Sequence, residues 1–132
     1  MARVLLVDDS SAVLQIVRDV LREAGHEVHE AADGKRGLAQ FRRTSPDLVI
    51  SDVVMPEMDG FELLWAIRAE APMTPLILMS GGSRSLRMDD LLRAAKVFGA
   101  WQVIPKPFSK EELLRVVQSA LALAGSPELA RD

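Results

Sequence analysis

Hydrophobic and polar residues follow two alternating patterns along this chain. Short continuous apolar runs, at Val4–Val7, Leu48–Ile50 and Leu76–Met79, are typical of strands that are buried on both faces. The longer segments between such runs have helical periodicity, and from Ser11 onward the apolar residues fall on one helical stripe. This alternation predicts repeated βα units that form a parallel sheet covered by helices on both faces.

The pattern predicts five strands and five helices. The predicted strands are Arg3–Val7, Glu27–Ala31, Leu48–Ser51, Leu76–Met79 and Trp101–Ile104. The helices are predicted to begin near Ser11, after the turn Asp33-Gly34, and near Phe61, Leu86 and Ser109, with the last three ending near Ala69, Phe98 and Leu123. Gly25 is expected to end the first helix, because glycine readily adopts the left-handed conformation found after helix ends.

Length and composition indicate one globular domain. The chain has 132 residues, of which 48% are hydrophobic and 27% are charged, as in ordinary globular proteins. We expect the folded domain to occupy residues 1–124 and residues 125–132 to form a short tail that is too small to be an output domain.

The charge and the apolar runs exclude several classes of function. A net charge of −3 and a pI near 5.4 give no basic surface for nucleic acid. The apolar runs are far shorter than the roughly 20 residues that cross a bilayer, so no membrane association is expected. With no cysteine, the chain has neither disulfides nor thiolate metal sites, and we expect it in the reducing cytoplasm.

Polar residues stand at the carboxyl ends of the predicted strands, where doubly wound sheets bind their ligands. Asp8 and Asp9 end strand one, Asp52 ends strand three, Ser80 ends strand four and Lys106 follows strand five. If the strand order is 2-1-3-4-5, strands one, three and four are neighbours. The sequence then predicts that these groups converge on one site.

Three carboxylates at one edge require a positive partner. At about 4 Å and an effective dielectric constant near 20, one like-charged pair repels by roughly 4 kcal/mol. A hard cation such as Mg²⁺ relieves that repulsion, and the ammonium group of Lys106 adds a second positive charge. A carboxylate nucleophile, a metal, a lysine and the Ser80 hydroxyl are the components of phosphoryl transfer.

Each residue also has an ordinary structural interpretation. Asp8, Asp9 and Ser10 could simply precede and cap a helix, and Asp52 could be a turn residue. Ser80 could be a loop serine beside glycines, and Lys106 a solvated lysine. Separate interpretations leave unexplained why complementary groups stand together at the strand ends of one edge, so a joint site is favoured.

The motifs at these strand ends resemble the receiver domains of two-component response regulators, of the single-domain type similar to the chemotaxis response regulator. They are Val4–Ser10 (VLLVDDS), Ser51–Gly60 (SDVVMPEMDG), Ser80–Gly82 (SGG) and Ile104–Phe108 (IPKPF). The resemblance covers about Ala2 to Leu123 and implies a flavodoxin-like doubly wound sheet with the order 2-1-3-4-5.

The resemblance also implies a role for each site residue. Asp52 would accept the phosphoryl group, and Asp9, Asp52 and the backbone carbonyl of Val54 would bind Mg²⁺, or Mn²⁺ as an alternative, with Asp8 helping through water. Ser80 would hydrogen-bond the phosphoryl group, Lys106 would pair with its oxygens, and the Lys106-Pro107 bond would be cis.

The implied function is a signalling switch rather than an enzyme. Its phosphoryl donor would be a histidine kinase or a histidine phosphotransfer protein. Its output would be a surface change read by a downstream protein, on the face formed by the fourth helix, fifth strand and fifth helix.

Two features depart from the family pattern. Val103 replaces an aromatic residue whose rotamer reports phosphorylation, and the stretch from Ser80 to Lys106 is a few residues longer than usual. On the same strand face as Val103, Trp101 is either a core aromatic or a substitute reporter. Val54 and Gly82 offer no polar side chain to orient water, which predicts slow loss of the phosphoryl group.

Three other classes of protein remain as alternatives. A haloacid dehalogenase-type phosphatase needs a second aspartate two residues after the nucleophile, where this chain has Val54. A flavodoxin needs a phosphate-binding loop after strand one, where Asp8 and Asp9 would repel phosphate. A pseudo-receiver, which keeps the fold as an interaction module without phosphorylation, is the main alternative function.

Overall fold

The computed structural model describes residues 1–81 and 102–124, together with Arg93 and Lys96 between them. Five parallel strands form one sheet in the order β2-β1-β3-β4-β5. The strands are β1 (Arg3–Val7), β2 (Glu27–Ala31), β3 (Leu48–Asp52), β4 (Leu76–Ser80) and β5 (Gln102–Pro105). The predicted order 2-1-3-4-5 is confirmed, and the strand bounds differ from the predicted ones by one residue at most.

Helices cover both faces of the sheet, as predicted. They are α1 (Ser11–Glu23), α2 (Gly34–Thr44), α3 (Gly60–Glu70) and α4 (Lys110–Ala124). Buried residues of α1 and α4 pack on one face, and those of α2 and α3 pack on the other. Within the described ranges, no helix is long and apolar enough to cross a membrane.

Two predicted features lie wholly or largely outside the described residues. The helix predicted over Leu86–Phe98 is described only at Arg93 and Lys96, which are both helical. Trp101, the proposed substitute reporter, is not among the described residues.

Side chains of β1 alternate between two hydrophobic cores, which explains its continuous apolar run. Leu5 and Val7 join the core under α2 and α3, whereas Val4 and Leu6 join the core under α1 and α4. Each fully buried aliphatic side chain contributes about 1.5–3 kcal/mol to stability. The sheet is therefore held rigidly from both sides, and so are the strand ends at its carboxyl edge.

Two helices begin with a capping box directly after that edge. At the start of α4, Ser109 Oγ accepts from the Glu112 N–H at 3.0 Å and the Glu112 carboxylate accepts from the Ser109 N–H at 3.4 Å. At α3, Asp59 and Glu62 form the same reciprocal pair. An acidic residue followed three positions later by Glu, before an apolar segment, is a capping signal that can be recognised in the sequence.

The end of α1 matches its prediction. Gly25 has a φ of +94°, and its N–H donates to the Arg22 carbonyl at 3.0 Å. This end of the helix lies at the amino edge of the sheet, because β2 starts two residues later at Glu27.

Candidate functional site

Three carboxylates meet at the carboxyl edge of the sheet. Asp8 and Asp9 directly follow β1, and Asp52 ends the neighbouring strand β3. Each residue offers an oxygen, and these oxygens lie within 4.8 Å of one another. Asp8 and Asp52 are buried whereas Asp9 is exposed, so the cluster opens to solvent on one side.

Lys106 directly follows the edge strand β5 and joins this cluster at the carboxyl edge of the sheet. Its Nζ lies 2.9 Å from Asp8 Oδ2 and 3.5 Å from Asp52 Oδ1. Its backbone N–H donates to the carbonyl of Ser80 at 2.8 Å, which ties the start of the β5–α4 loop to the end of β4. The structure thus brings Asp8, Asp9, Asp52 and Lys106 together, although they are scattered in sequence.

Asp8 is held by its backbone and by its side chain. Its N–H donates to the Ala31 carbonyl at 3.1 Å, and its Oδ1 accepts from the Ser10 N–H at 2.8 Å. Ser10 is also the N-cap of α1, since its Oγ accepts from the Val13 N–H at 3.3 Å. The capping interpretation of this segment therefore holds for Ser10, while both aspartates lie in the acidic cluster.

Asp52 has an unusual electrostatic environment. Burial raises the pKa of its carboxyl group, and the nearby charge of Asp8 raises that pKa further. Lys106 and the N–H of Val53, which donates to Asp52 Oδ1 at 2.9 Å, act in the opposite direction and only partly offset the increase. At neutral pH the Asp52 carboxylate is therefore poorly solvated, which favours reaction with, or binding to, an electropositive centre.

The donor set of the cluster fits a divalent cation such as Mg²⁺ or Mn²⁺. Carboxylate oxygens are the ligands that hard cations prefer, and Asp8, Asp9 and Asp52 supply three of them at mutually compatible distances. Lys106 alone leaves the cluster with a net negative charge, so a second positive charge would stabilise it.

The other predicted site residues lie on the strands and loops around this cluster. Ser80 ends β4, which is the neighbour of β3 in the sheet, and its residue surface is 5% exposed. Val54 lies two residues after Asp52, and 54% of its surface is exposed. Gly82 lies outside the described residues.

Gly81 borders the site, a role that was not predicted from the sequence, where this residue is only part of the Ser80–Gly82 motif. A Cβ atom at this position would lie 3.6 Å from Lys106 Nζ and 3.7 Å from Asp52 Oδ1. Its position directly after the polar residue at the end of strand four was the feature of the sequence that could have indicated a place at the site. A Cβ here would make ordinary van der Waals contact with both groups, so glycine leaves more room beside Asp52.

An apolar groove of about 340 Å³ adjoins the acidic cluster and shares Gly81 and Lys106 with it. The other residues that line it are Val13, Ile16, Val17, Pro107 and Phe108. Ile16 is 62% exposed, and together with the other apolar side chains of the groove it forms a continuous patch rather than an isolated surface residue. The groove thus offers an apolar surface directly beside a charged site.

Two features implied by the family resemblance can be located. The Lys106-Pro107 peptide bond is cis, as expected. Val103 is 8% exposed and packs in the core under α2 and α3, so the position of the missing aromatic residue is filled by an ordinary core side chain.

Known proteins share this fold and sequence pattern. The family model for the response regulator receiver domain matches residues 4–118. The chemotaxis protein CheY of Bacillus subtilis is 34% identical over 121 residues, which cover 90% of this chain and 97% of that protein. A crystal structure of the chemotaxis protein CheY4 of Vibrio cholerae superposes with a TM-score of 0.84 at 38% identity, covering 92% of this chain and 99% of that one.

Other relatives are longer than this chain. The regulatory protein AtoC of Escherichia coli is 36% identical over 121 residues, which are 92% of this chain and 25% of AtoC. The transcriptional regulatory protein TrcR of Mycobacterium tuberculosis is 33% identical over 130 residues, which are 98% of this chain and 49% of TrcR. The chain therefore spans between a quarter and a half of the length of these relatives.

Proposed function

The chain belongs to the response regulator receiver domain family, and from that premise we propose that it is a phosphoacceptor switch of a two-component phosphorelay. Asp52 accepts a phosphoryl group from a histidine kinase or a histidine phosphotransfer protein, in the cytoplasm. The single observation that carries this proposal is that the ammonium group of Lys106 contacts two buried carboxylates at once, those of Asp52 and Asp8.

The reaction is a displacement at phosphorus. A carboxylate oxygen of Asp52 forms a bond to phosphorus while the bond between phosphorus and the donor's imidazole nitrogen breaks. That nitrogen keeps the electron pair and takes up a proton, so histidine is regenerated and an acyl phosphate forms on Asp52. With acetyl phosphate as the donor, acetate leaves with the electron pair instead.

Residues of the chain prepare Asp52 for this step. Poor solvation of its carboxylate reduces the cost of removing water before attack. Lys106 Nζ, 3.5 Å from Asp52 Oδ1, is close enough to pair with an oxygen of the transferred group. Ser80, at the end of the next strand, supplies the hydroxyl that hydrogen-bonds the phosphoryl group in this proposal.

A divalent cation is part of the proposed site. Asp9, Asp52 and the Val54 carbonyl would hold Mg²⁺, with Asp8 acting through water, and Mn²⁺ would be an alternative ion. When bound, the ion neutralises negative charge on the transferring oxygens. The acidic cluster supports this assignment, because its three carboxylates need more positive charge than Lys106 supplies.

The phosphoryl donor docks on the apolar groove in this proposal. A partner helix that covers Ile16 and Phe108 would carry its histidine next to Lys106, since the groove and the acidic cluster share that residue. Exposed apolar surface beside a reactive carboxylate supports a protein partner, because a small phosphoryl donor would gain nothing from it.

Output is proposed to be a surface change. Residues 1–124 act as the receiver domain, and phosphorylation of Asp52 alters the face formed by β5 and α4, to which the family resemblance adds the fourth predicted helix. A downstream protein reads this face. The chain is thus a signalling domain rather than an enzyme with turnover.

Intact-mass spectrometry after incubation with acetyl phosphate and Mg²⁺ tests the proposal. We expect one phosphoryl group per chain in the parent and none in Asp52→Asn or in the presence of EDTA. The exposed Asp19→Asn variant is the control and should be labelled like the parent. A folded parent that takes up no phosphoryl group would instead be a pseudo-receiver, and equal labelling of Asp52→Asn would refute the assignment of Asp52.

A further inference from the structure

The start of α2 touches the loop that follows Asp52. Gly34, the first residue of α2, is buried against the backbone of Met58. A Cβ atom on Gly34 would lie 2.1 Å from the Met58 carbonyl oxygen and 2.8 Å from the Met58 Cβ. Because atoms that are not bonded rarely approach closer than about 3 Å, no side chain fits between helix and loop.

The loop adopts a strained turn where it makes this contact. Glu57 has a φ of +71°, a left-handed value that is uncommon for a residue with a side chain. The N–H of Met58 donates to the carbonyl of Pro56 at 2.8 Å, which closes a three-residue turn around Glu57. Such a conformation persists only where surrounding contacts enforce it.

The two ends of the loop are joined to each other beside the backbone of Asp52. The Gly60 N–H donates to the Val53 carbonyl at 2.8 Å, and a Cβ on Gly60 would lie 2.3 Å from the carbonyl oxygen of Asp52. Val54 lies between these joined ends and the strained turn. The path of its backbone is therefore set by two contacts: the one between the loop ends, and the one between Met58 and Gly34.

We propose that Gly34 is a positioning residue for the phosphoacceptor site: its missing side chain lets Met58 rest on α2, which holds the strained loop and thereby fixes the Val54 carbonyl for the cation. This inference rests on the proposed function. Gly34 acts through the loop and touches neither the cation nor the phosphoryl group.

A matched pair of glycine variants tests this role. Gly34 is not in the left-handed region, so in Gly34→Ala only the contact with Met58 is affected. Gly25→Ala is the control, because it strains a φ of +94° with nothing within 4 Å and lies at the opposite edge of the sheet. Both variants should melt at lower temperatures than the parent.

The decisive measurement is Mn²⁺ affinity, determined from the free Mn²⁺ signal in electron paramagnetic resonance titrations. We expect Gly34→Ala to bind Mn²⁺ about tenfold more weakly, as for other residues that orient metal ligands, and Gly25→Ala to match the parent. A parent without Mn²⁺ binding would refute the proposed site as well. Parent-like affinity in folded Gly34→Ala would refute the role of Gly34 alone.

Amide chemical shifts of the ¹⁵N-labelled parent test the same coupling without a variant that could fail to fold. On addition of Mg²⁺, the Gly34 amide should shift together with those of Val54 and Met58, while the Gly25 amide stays in place. Shifts confined to the residues around Asp52, with Gly34 unchanged, would overturn the proposal.

Discussion

The ammonium group of Lys106 donates a hydrogen bond to the carboxylate of Asp8 across 2.9 Å, and these two residues are 98 positions apart in sequence. Asp8 is fully buried and 18% of the Lys106 side chain is exposed. The bond links the two outer elements of the site, the end of β1 and the loop after β5. It also compensates a carboxylate that solvent cannot reach.

Loss of this bond should destabilise the protein more than loss of a surface ion pair. We expect Lys106→Met to lower the free energy of unfolding by about 1–3 kcal/mol in metal-free buffer, because Asp8 is left buried without a charged partner. Lys110→Met is the control: its 3.2 Å ion pair with Glu23 is exposed, so the cost should stay below about 1 kcal/mol. Urea denaturation measures both, and equal losses would contradict the importance of the Asp8 pair.

Mg²⁺ should stabilise the unphosphorylated protein through the acidic cluster. At ten times its dissociation constant, a bound ion adds about 1.4 kcal/mol to the free energy of unfolding. Asp9→Asn should remove most of this gain, since Asp9 is the exposed member of the cluster and a proposed direct ligand. Thermal melts with and without Mg²⁺ provide the measurement, and an undiminished response in the variant would rule out this metal site.

Neutralising Asp52 should stabilise the metal-free protein. Burial and the charge of Asp8 raise the pKa of Asp52, so its ionised form is unfavourable in the folded state at pH 7. Asp52→Asn keeps the shape and removes the charge, and we expect Tm in EDTA to rise by about 3–5 °C, the effect of roughly 1 kcal/mol in a domain of this size. Asp19→Asn on the exposed face of α1 should leave Tm unchanged, and a lower Tm for Asp52→Asn would show that Lys106 already compensates the carboxylate.

Val54 should give the acyl phosphate a long lifetime. Its exposed aliphatic side chain cannot orient an attacking water molecule. Val54→Asn places an amide at this position, which can orient a water molecule. We expect the phosphoryl group to be lost roughly tenfold faster, a smaller acceleration than the 10²–10⁴-fold that a general base provides. Intact mass followed after removal of acetyl phosphate measures the decay. Complete decay of the parent within seconds would contradict the prediction.

Ile16 should matter for a protein donor and not for a small one. We expect Ile16→Ser to reduce the rate of transfer from a phosphorylated histidine protein about tenfold, equivalent to roughly 1.4 kcal/mol of lost contact. Labelling by acetyl phosphate should be unaffected. Gln15→Ser, an exposed neighbour on α1 outside the groove, controls for the serine substitution. If both donors slow equally, the groove is not the docking surface.

Local patterns in the sequence were sufficient for much of the fold. Continuous apolar runs such as Leu48–Ile50 predicted buried parallel strands. The stripe of apolar residues on α1 predicted the face that packs on the sheet, except that Ile16, a member of the stripe, is 62% exposed. These predictions succeed because burial on one or both faces imposes a period on neighbouring residues. Polar residues at the ends of several strands predicted a site at one edge of the sheet, because the carboxyl ends of parallel strands all lie at the same edge.

Contacts between distant segments were decided only by the tertiary structure. Lys106 pairs with Asp8 as well as with Asp52, because the β5–α4 loop reaches far enough across the sheet. The contact of Gly34 with Met58 depends on the spacing of α2 and the β3–α3 loop to within a fraction of an ångström. Periodicity along the chain carries no information about such distances, since they are set by the combined packing of both cores on the sheet.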